Sequence, residues 1–163
     1  MEVDFEKISK IANDYFKKSG RTKKFVELED AVISTKNASC IYEFALQVKG
    51  ADIKKLENAI ISTKDARYIY YFATDVKGVN IKNLEDAIIT TKNARYIYRF
   101  AIDVEEANIR KLEDAIISTK DDYYIHFFAK DVENANIKKL ENVIASIKAS
   151  RAKDSKTDDL KNK

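Results

Sequence analysis

The sequence predicts an all-α protein built from stacked two-helix repeats, and three observations lead to this fold class. A unit of 28 residues recurs along the chain, with leucine at the same place in every copy. The 163 residues include no proline and only three glycines, the two residues on which the turns of β-sandwiches depend. The hydrophobic content of 45% is enough for a continuous core.

The repeat is marked by five leucines, each followed by glutamate. They stand 28 residues apart, at Leu28, Leu56, Leu84, Leu112 and Leu140. One full unit, from Leu84 to Lys111, reads LEDAIITTKNARYIYRFAIDVEEANIRK, and four full copies and a fifth half-copy occupy residues 28–148. Because such a unit cannot bury its apolar faces alone, we expect the copies to stack into a right-handed α-solenoid.

Asparagine and aspartate mark two helix starts in each repeat. Their side chains accept hydrogen bonds from the first turn of a helix. The first series is Asp52, Asn80, Asn108 and Asn136, and the second is Asn37, Asp65, Asn93 and Asp121. In one repeat this predicts a helix A from about Ile53 to Lys64 and a helix B from about Ala66 to Lys77.

The two ends of the chain depart from the repeat. Asp4 to Lys18 has apolar residues on one face and predicts a capping helix, so that residues 1–27 form an N-terminal cap. Residues 149–163 are polar with a single leucine, and we expect a frayed or disordered tail there. The prediction is a single domain over 1–148.

This two-helix repeat resembles those of HEAT, armadillo and tetratricopeptide proteins in architecture, although its period is shorter and their signature residues are absent. The unit LEDAIITTKNARYIYRFAIDV is also similar to repeats of uncharacterised proteins from AT-rich bacteria and their phages. The second resemblance implies a role as an inhibitor of a host factor or of a defence-system protein.

Helix B contains one phenylalanine that never changes and a variable residue before it. In YIYYFATDV, residues 68–76, the apolar positions Ile69, Phe72, Ala73 and Val76 follow helical spacing. Phe72 should therefore belong to the core. The residue before it, Tyr71 in this copy, should point away from the core.

The outward positions of helix B are the candidate binding surface. They combine arginine with tyrosine and phenylalanine, which is the composition of interface hot spots. The predicted partner-binding residues are Glu43, Leu46, Arg67, Tyr71, Arg95, Arg99, Ile102, Tyr123, Phe127 and Lys130. The alternative is that the N-terminal segment, the tail or a second copy of the chain covers this face.

Several functional classes find no support in the composition. The net charge of +3 gives no general attraction to nucleic acid or membrane. A single Cys40 and a single His126 leave no disulfide and no cysteine-based or His-pair metal site. There is no glycine-rich phosphate loop and no nucleophile with a nearby base, so neither catalysis nor a cofactor is expected. The apolar runs are too short to cross a membrane, and we expect a cytoplasmic location.

The resulting prediction is a non-catalytic module that binds another protein and acts as an adaptor or inhibitor. Its partner should offer an acidic surface, since the outward positions carry four cations against Glu43. One alternative is nucleic-acid binding through arginine and tyrosine. Another is a homo-oligomer in which the half-repeat stacks on a second chain.

Overall fold

The computed structural model describes the backbone of residues 5–161 and the side chains of residues 7–153. This part of the chain is all-α and has no strand, which confirms the all-α part of the prediction, and the right-handed solenoid arrangement stays a prediction. The helices are α1 (Phe5–Ser19), α2 (Lys23–Ser34), α3 (Ala38–Gln47), α4 (Ile53–Thr63), α5 (Ala66–Asp75), α6 (Ile81–Thr90), α7 (Ala94–Asp103), α8 (Ile109–Thr119), α9 (Asp122–Asp131) and α10 (Ile137–Lys161). None of the described helices has both the length and the apolar character to cross a membrane.

The chain divides into two compact units, residues 1–91 and 92–163. Unit 1 holds α1 to α6, and there α3 packs against α2, α4 and α5. Unit 2 holds α7 to α10, and there α9 packs against α7, α8 and α10. Helices of type A (α2, α4, α6, α8 and α10) alternate with helices of type B (α3, α5, α7 and α9). The single domain over 1–148 stays a prediction.

Asparagine and aspartate side chains begin the helices as predicted. Asp52 Oδ1 accepts the backbone N–H of Lys55 at 3.0 Å and so begins α4. The same arrangement occurs at Asn37, Asp65, Asn80, Asn93, Asn108, Asp121 and Asn136. These caps place the helix boundaries close to those expected from the sequence.

The turn from helix A to helix B is fixed by a Thr-Lys-Asx sequence. The Thr63 hydroxyl donates to the Ile60 carbonyl at 2.7 Å and accepts the N–H of Asp65 at 3.2 Å. Lys64 lies between them in the left-handed conformation, with φ 57°. Lys36, Lys92 and Lys120 take the same conformation. The same local backbone conformation therefore follows helices α2, α4, α6 and α8.

The constant phenylalanine of helix B belongs to the core, as predicted. Phe44, Phe72, Phe100 and Phe128 are fully buried. Leucine at the start of the repeat unit is equally buried at Leu56, Leu84, Leu112 and Leu140. Burial of a phenylalanine side chain contributes about 1.5–3 kcal/mol of transfer free energy. The repeated core is therefore built from equivalent residues, except that Leu28 in the first copy is only half-buried.

Helix α1 takes the position of a helix B in front of the first helix A. Phe16 stands 28 residues before Phe44, and its ring centroid lies 5.8 Å from that of Phe25 on α2. The same ring approaches Gly50 so closely that a Cβ there would lie 2.0 Å from it. Gly50 also has a φ of 77°, so the fit of α1 depends on glycine at this position.

Helix α10 is 25 residues long, whereas α8 has 11. The polar segment 149–163, for which the composition predicts a disordered tail, continues α10 as far as Lys161. Residues 119–121 read Thr-Lys-Asp, but residues 147–149 read Ile-Lys-Ala. Neither isoleucine nor alanine can accept a backbone hydrogen bond through its side chain, so the turn is lost and the helix continues. The side chains of 154–163 lie outside the described residues.

Candidate protein-binding surface

The predicted binding residues divide between the two units. Unit 1 carries Glu43, Leu46, Arg67 and Tyr71, and unit 2 carries Arg95, Arg99, Ile102, Tyr123, Phe127 and Lys130. The residues of unit 2 lie on α7 and α9, two helices of type B that pack together. Each group is therefore a surface of its own unit.

Exposure separates these residues into two sets. Leu46, Arg67, Arg95, Ile102, Tyr123 and Lys130 are exposed, whereas Glu43, Tyr71, Arg99 and Phe127 are half-buried. The half-buried residues are the four that stand directly before the constant phenylalanine. The helical spacing predicted that these residues would point away from the core. Successive residues of a helix are about 100° apart, so the neighbour of a core residue lies at the border of the buried face. This position consequently packs against adjacent side chains.

In unit 1 the border position lies within a group of tyrosine rings. The Tyr71 centroid is 5.9 Å from Tyr42, 6.0 Å from Tyr68 and 5.4 Å from Tyr70. The Arg67 guanidinium lies over the Tyr68 ring, 4.7 Å from its centroid. The surface of this cluster is thus partly covered by a cation.

In unit 2 the corresponding rings are more open. The Tyr123 side chain is 62% exposed, and its ring lies 4.7 Å from Phe127 and 5.1 Å from Tyr124. Phe127 also lies 6.1 Å from Tyr98 of α7. Ile102, on the same helix as Tyr98, is 44% exposed. We call Tyr98, Ile102, Tyr123, Tyr124 and Phe127 the aromatic patch.

Cations accompany the aromatic patch on both of its helices. Arg95 and Arg99 belong to α7, and Lys130 belongs to α9. The Arg95 guanidinium lies 5.8 Å from the centroid of the Tyr96 ring. Asp131, at the end of α9, accepts a hydrogen bond from Tyr98. Rings held in place by one another and accompanied by cations are suited to contact a surface that carries carboxylates.

Tyrosine hydroxyls connect consecutive B helices inside each unit. Tyr42 donates to Asp75 Oδ2 at 2.6 Å, and Tyr98 donates to Asp131 Oδ2 at 2.8 Å. Burial is the first cause of a raised pKa at both phenols, and the hydrogen bond to the carboxylate is the second. The pKa of Tyr98 rises to about 12. These bonds fix the edge of each aromatic cluster.

Sequence reasoning missed a series of buried glutamates. Glu29, Glu57, Glu85 and Glu113 are buried, and each follows the constant leucine. The Glu57 carboxylate accepts the backbone N–H of Asn80 at 2.7 Å and the side-chain amide of Asn83 at 3.0 Å. It thereby joins one helix A to the start of the next. The unvarying Leu-Glu pair was the available signal.

Glu113 makes the corresponding contact in unit 2, but with a cation. Its carboxylate accepts the N–H of Asn136 at 2.7 Å and the ammonium of Lys139 at 2.9 Å. Lys139 also donates to Asp114 at 2.6 Å. The carboxylates of Glu29, Glu57 and Glu113 are accounted for by the structure, since each has hydrogen-bond donors. They are therefore structural residues.

Among the described side chains, no three of the types His, Cys, Asp and Glu converge in a way that could hold a metal ion. Comparisons of the chain with known protein families, curated proteins and solved structures find no match. The described part of the chain is all-α, consecutive helices pack together within each unit, and no family, homologue or phage link is found.

Proposed function

We propose that the chain is a non-catalytic protein-binding module with a right-handed α-solenoid arrangement of its repeats. The aromatic patch of unit 2 contacts the partner, and the chain acts as an adaptor or inhibitor by occupying that surface. The exposure of Tyr123 carries this proposal. Its ring is already held by Phe127 and Tyr124, so binding restricts it little further.

The partner offers an acidic contact region. Arg95 and Lys130 are exposed and Arg99 is half-buried beside the aromatic patch. Complementary charge accelerates encounter and excludes partners of the wrong charge, while the buried rings supply most of the affinity. The rings and the cations thus have separate functions in the proposed complex.

The test compares proteins captured from cells of the natural source by three purified chains. These are the wild type, Tyr123→Ala, and the control Arg110→Ala, which changes an exposed residue on the A helix α8. We expect one partner to be retained by the wild type and the control. Its affinity for Tyr123→Ala should fall by about 2 kcal/mol in calorimetry. Equal capture by all three chains would overturn the proposal.

Nucleic-acid binding is the second candidate, and one observation favours it. Arg67 lies over Tyr68 and Arg95 lies close to Tyr96, so phosphate contacts and base stacking have residues available in both units. An electrophoretic shift assay with single-stranded and duplex DNA and RNA across a salt series separates the candidates. A shift that is steeply salt-dependent and lost in an Arg67, Arg95 and Arg99 triple alanine variant would replace the first proposal. Absence of a shift at low salt would eliminate this candidate.

A further inference from the structure

One flank of the A helices is covered in unit 1. In α4 it consists of Ile53, Glu57 and Ile60. Ile60 and Glu57 are buried, and Ile53 lines a crevice together with Val76 at the end of the B helix α5. The flank is therefore covered by neighbouring segments, since Ala45 of α3 lines the same crevice as Ile53, and Asn80 at the start of α6 donates to Glu57.

The same flank is open on α10 in the part of the chain that the structure describes. Ile137 is 55% exposed, Glu141 is exposed and Ile144 is half-buried. Since α10 does not turn after residue 147, two more exposed residues, Lys148 and Ala152, extend the flank. Steps of three or four residues along a helix place all five on one side.

The charges on this flank are self-complementary. Glu141 and Lys148 are seven residues apart, about two helical turns, and Ile144 lies between them. An antiparallel second α10, related by a twofold axis near Ile144, brings Glu141 opposite Lys148 of the second copy. The same axis brings Lys148 opposite Glu141 of the second copy. Ile144 then meets its own counterpart, and Ile137 meets Ala152.

We propose that α10 is a homodimerisation surface, through which two copies of the chain associate in an antiparallel, twofold arrangement. Isologous contacts of this kind are the commonest in soluble oligomers, and they require the pairing of i with j and j with i that Glu141 and Lys148 provide. The contact covers about four turns of one helix and lies at the small end of the known interfaces. A weak dimer, with a Kd in the range of about 1–100 µM, is expected.

A head-to-tail contact of α10 with α1 of a second copy does not fit. The B helix α3 has small buried residues at Ala38 and Ala45, and Ala45 lines a crevice with Ile53 of the A helix α4. Lys10 and Lys17 stand 28 residues earlier on α1, and both are exposed. If these two lysines were buried against an A helix, each would need a carboxylate partner. The five flank residues include only one carboxylate, that of Glu141. The second copy of α10 is therefore the occupant.

Charge reversal tests the pairing by sedimentation velocity over a concentration series. Glu141→Lys alone sets lysine against Lys148 at both symmetric contacts, and Lys148→Glu alone sets glutamate against Glu141. Each variant should raise the dimer Kd by about tenfold or more. An equimolar mixture of the two variants places opposite charges together again and should restore the dimer as a heterodimer. Both side chains are exposed, and circular dichroism melts check that both variants remain folded.

The outcomes are distinct from those of the proposed function. Tyr123→Ala leaves the dimer unchanged if the proposal is right. A wild type that stays monomeric at 1 mM, a concentration about tenfold above the expected Kd range, overturns it. So does a dimer that ignores both charge reversals, or a mixture that remains monomeric. Association that continues beyond the dimer as concentration rises would indicate a head-to-tail contact and would equally overturn it.

Discussion

Units 1 and 2 have cores built from equivalent residues and differ at one edge of their B helices. Arg67 in unit 1 and Tyr123 in unit 2 occupy equivalent positions, 56 residues apart. Arg67 lies over a tyrosine ring, whereas Tyr123 meets Tyr124 edge-on and remains 62% exposed. A repeat can keep its buried residues and its caps while this edge changes, because the edge makes few core contacts. The residues of the proposed binding surface can therefore change without loss of stability.

The largest expected effect concerns the core phenylalanines that occur at equivalent positions in both units. Phe72→Ala in unit 1 and Phe100→Ala in unit 2 should each lower the free energy of unfolding by about 3–5 kcal/mol, because both rings are fully buried. Urea denaturation followed by circular dichroism measures the loss. A loss below about 1 kcal/mol for only one of the two variants would show that the two phenylalanines do not contribute equally to stability.

The buried glutamates provide the next contrast. Glu57→Gln should lower the free energy of unfolding by at most about 1 kcal/mol. The glutamine oxygen still accepts the Asn80 N–H, and the Asn83 side chain can rotate so that its oxygen accepts from the glutamine NH₂ group. Glu113→Gln should cost about 1–3 kcal/mol, since it loses a charged partner of Lys139. Both are measured by urea denaturation. Equal losses would mean that the Lys139 contact contributes nothing to the stability of unit 2.

A smaller effect is expected at the Tyr98 hydroxyl. Tyr98→Phe removes the bond to Asp131 and should cost about 1 kcal/mol at pH 7. Burial first, and this bond second, raise the pKa of Tyr98 to about 12, so the folded chain holds the proton more tightly than the unfolded chain. The contribution is complete below the ordinary pKa of tyrosine, about 10, and is lost as the pH rises to the folded value.

Thermal melts of wild type and Tyr98→Phe between pH 7 and 12 measure this difference. The advantage of the wild type should be constant up to about pH 10 and should shrink above it. Other groups that titrate in this range affect both chains alike. An advantage that is constant over the whole range would show that the hydroxyl contributes only through packing.

Local sequence patterns predicted the helices and the core because their causes lie within a few residues. Asp52 caps the helix that begins at the next residue, and Phe72 follows the spacing of Ile69 and Val76. The lost turn in residues 147–149 was equally local, and the missing threonine and Asx residue were visible there.

The remaining features depend on groups distant in the chain. Glu57 is buried because its carboxylate accepts a backbone N–H 23 residues later in the chain. The spacing of side chains along the sequence does not indicate such a contact with a backbone group. Tyr71 is half-buried because Tyr42 of the preceding helix B stands beside it, 29 residues earlier in the chain. The ten predicted binding residues stay a prediction. Six of them are exposed and four are half-buried.

The smallest expected change in stability is at Tyr123, where the two units differ most. Tyr123→Ala should change the free energy of unfolding by no more than about 0.5 kcal/mol, because most of the side chain is already in water. Tyr71→Ala in unit 1 should cost about 1 kcal/mol or more, because three other rings contact Tyr71. Urea denaturation of both variants gives the comparison directly. A loss at Tyr123 as large as that at Tyr71 would mean that the open ring supports the fold of unit 2. Its exposure would then no longer favour a binding surface.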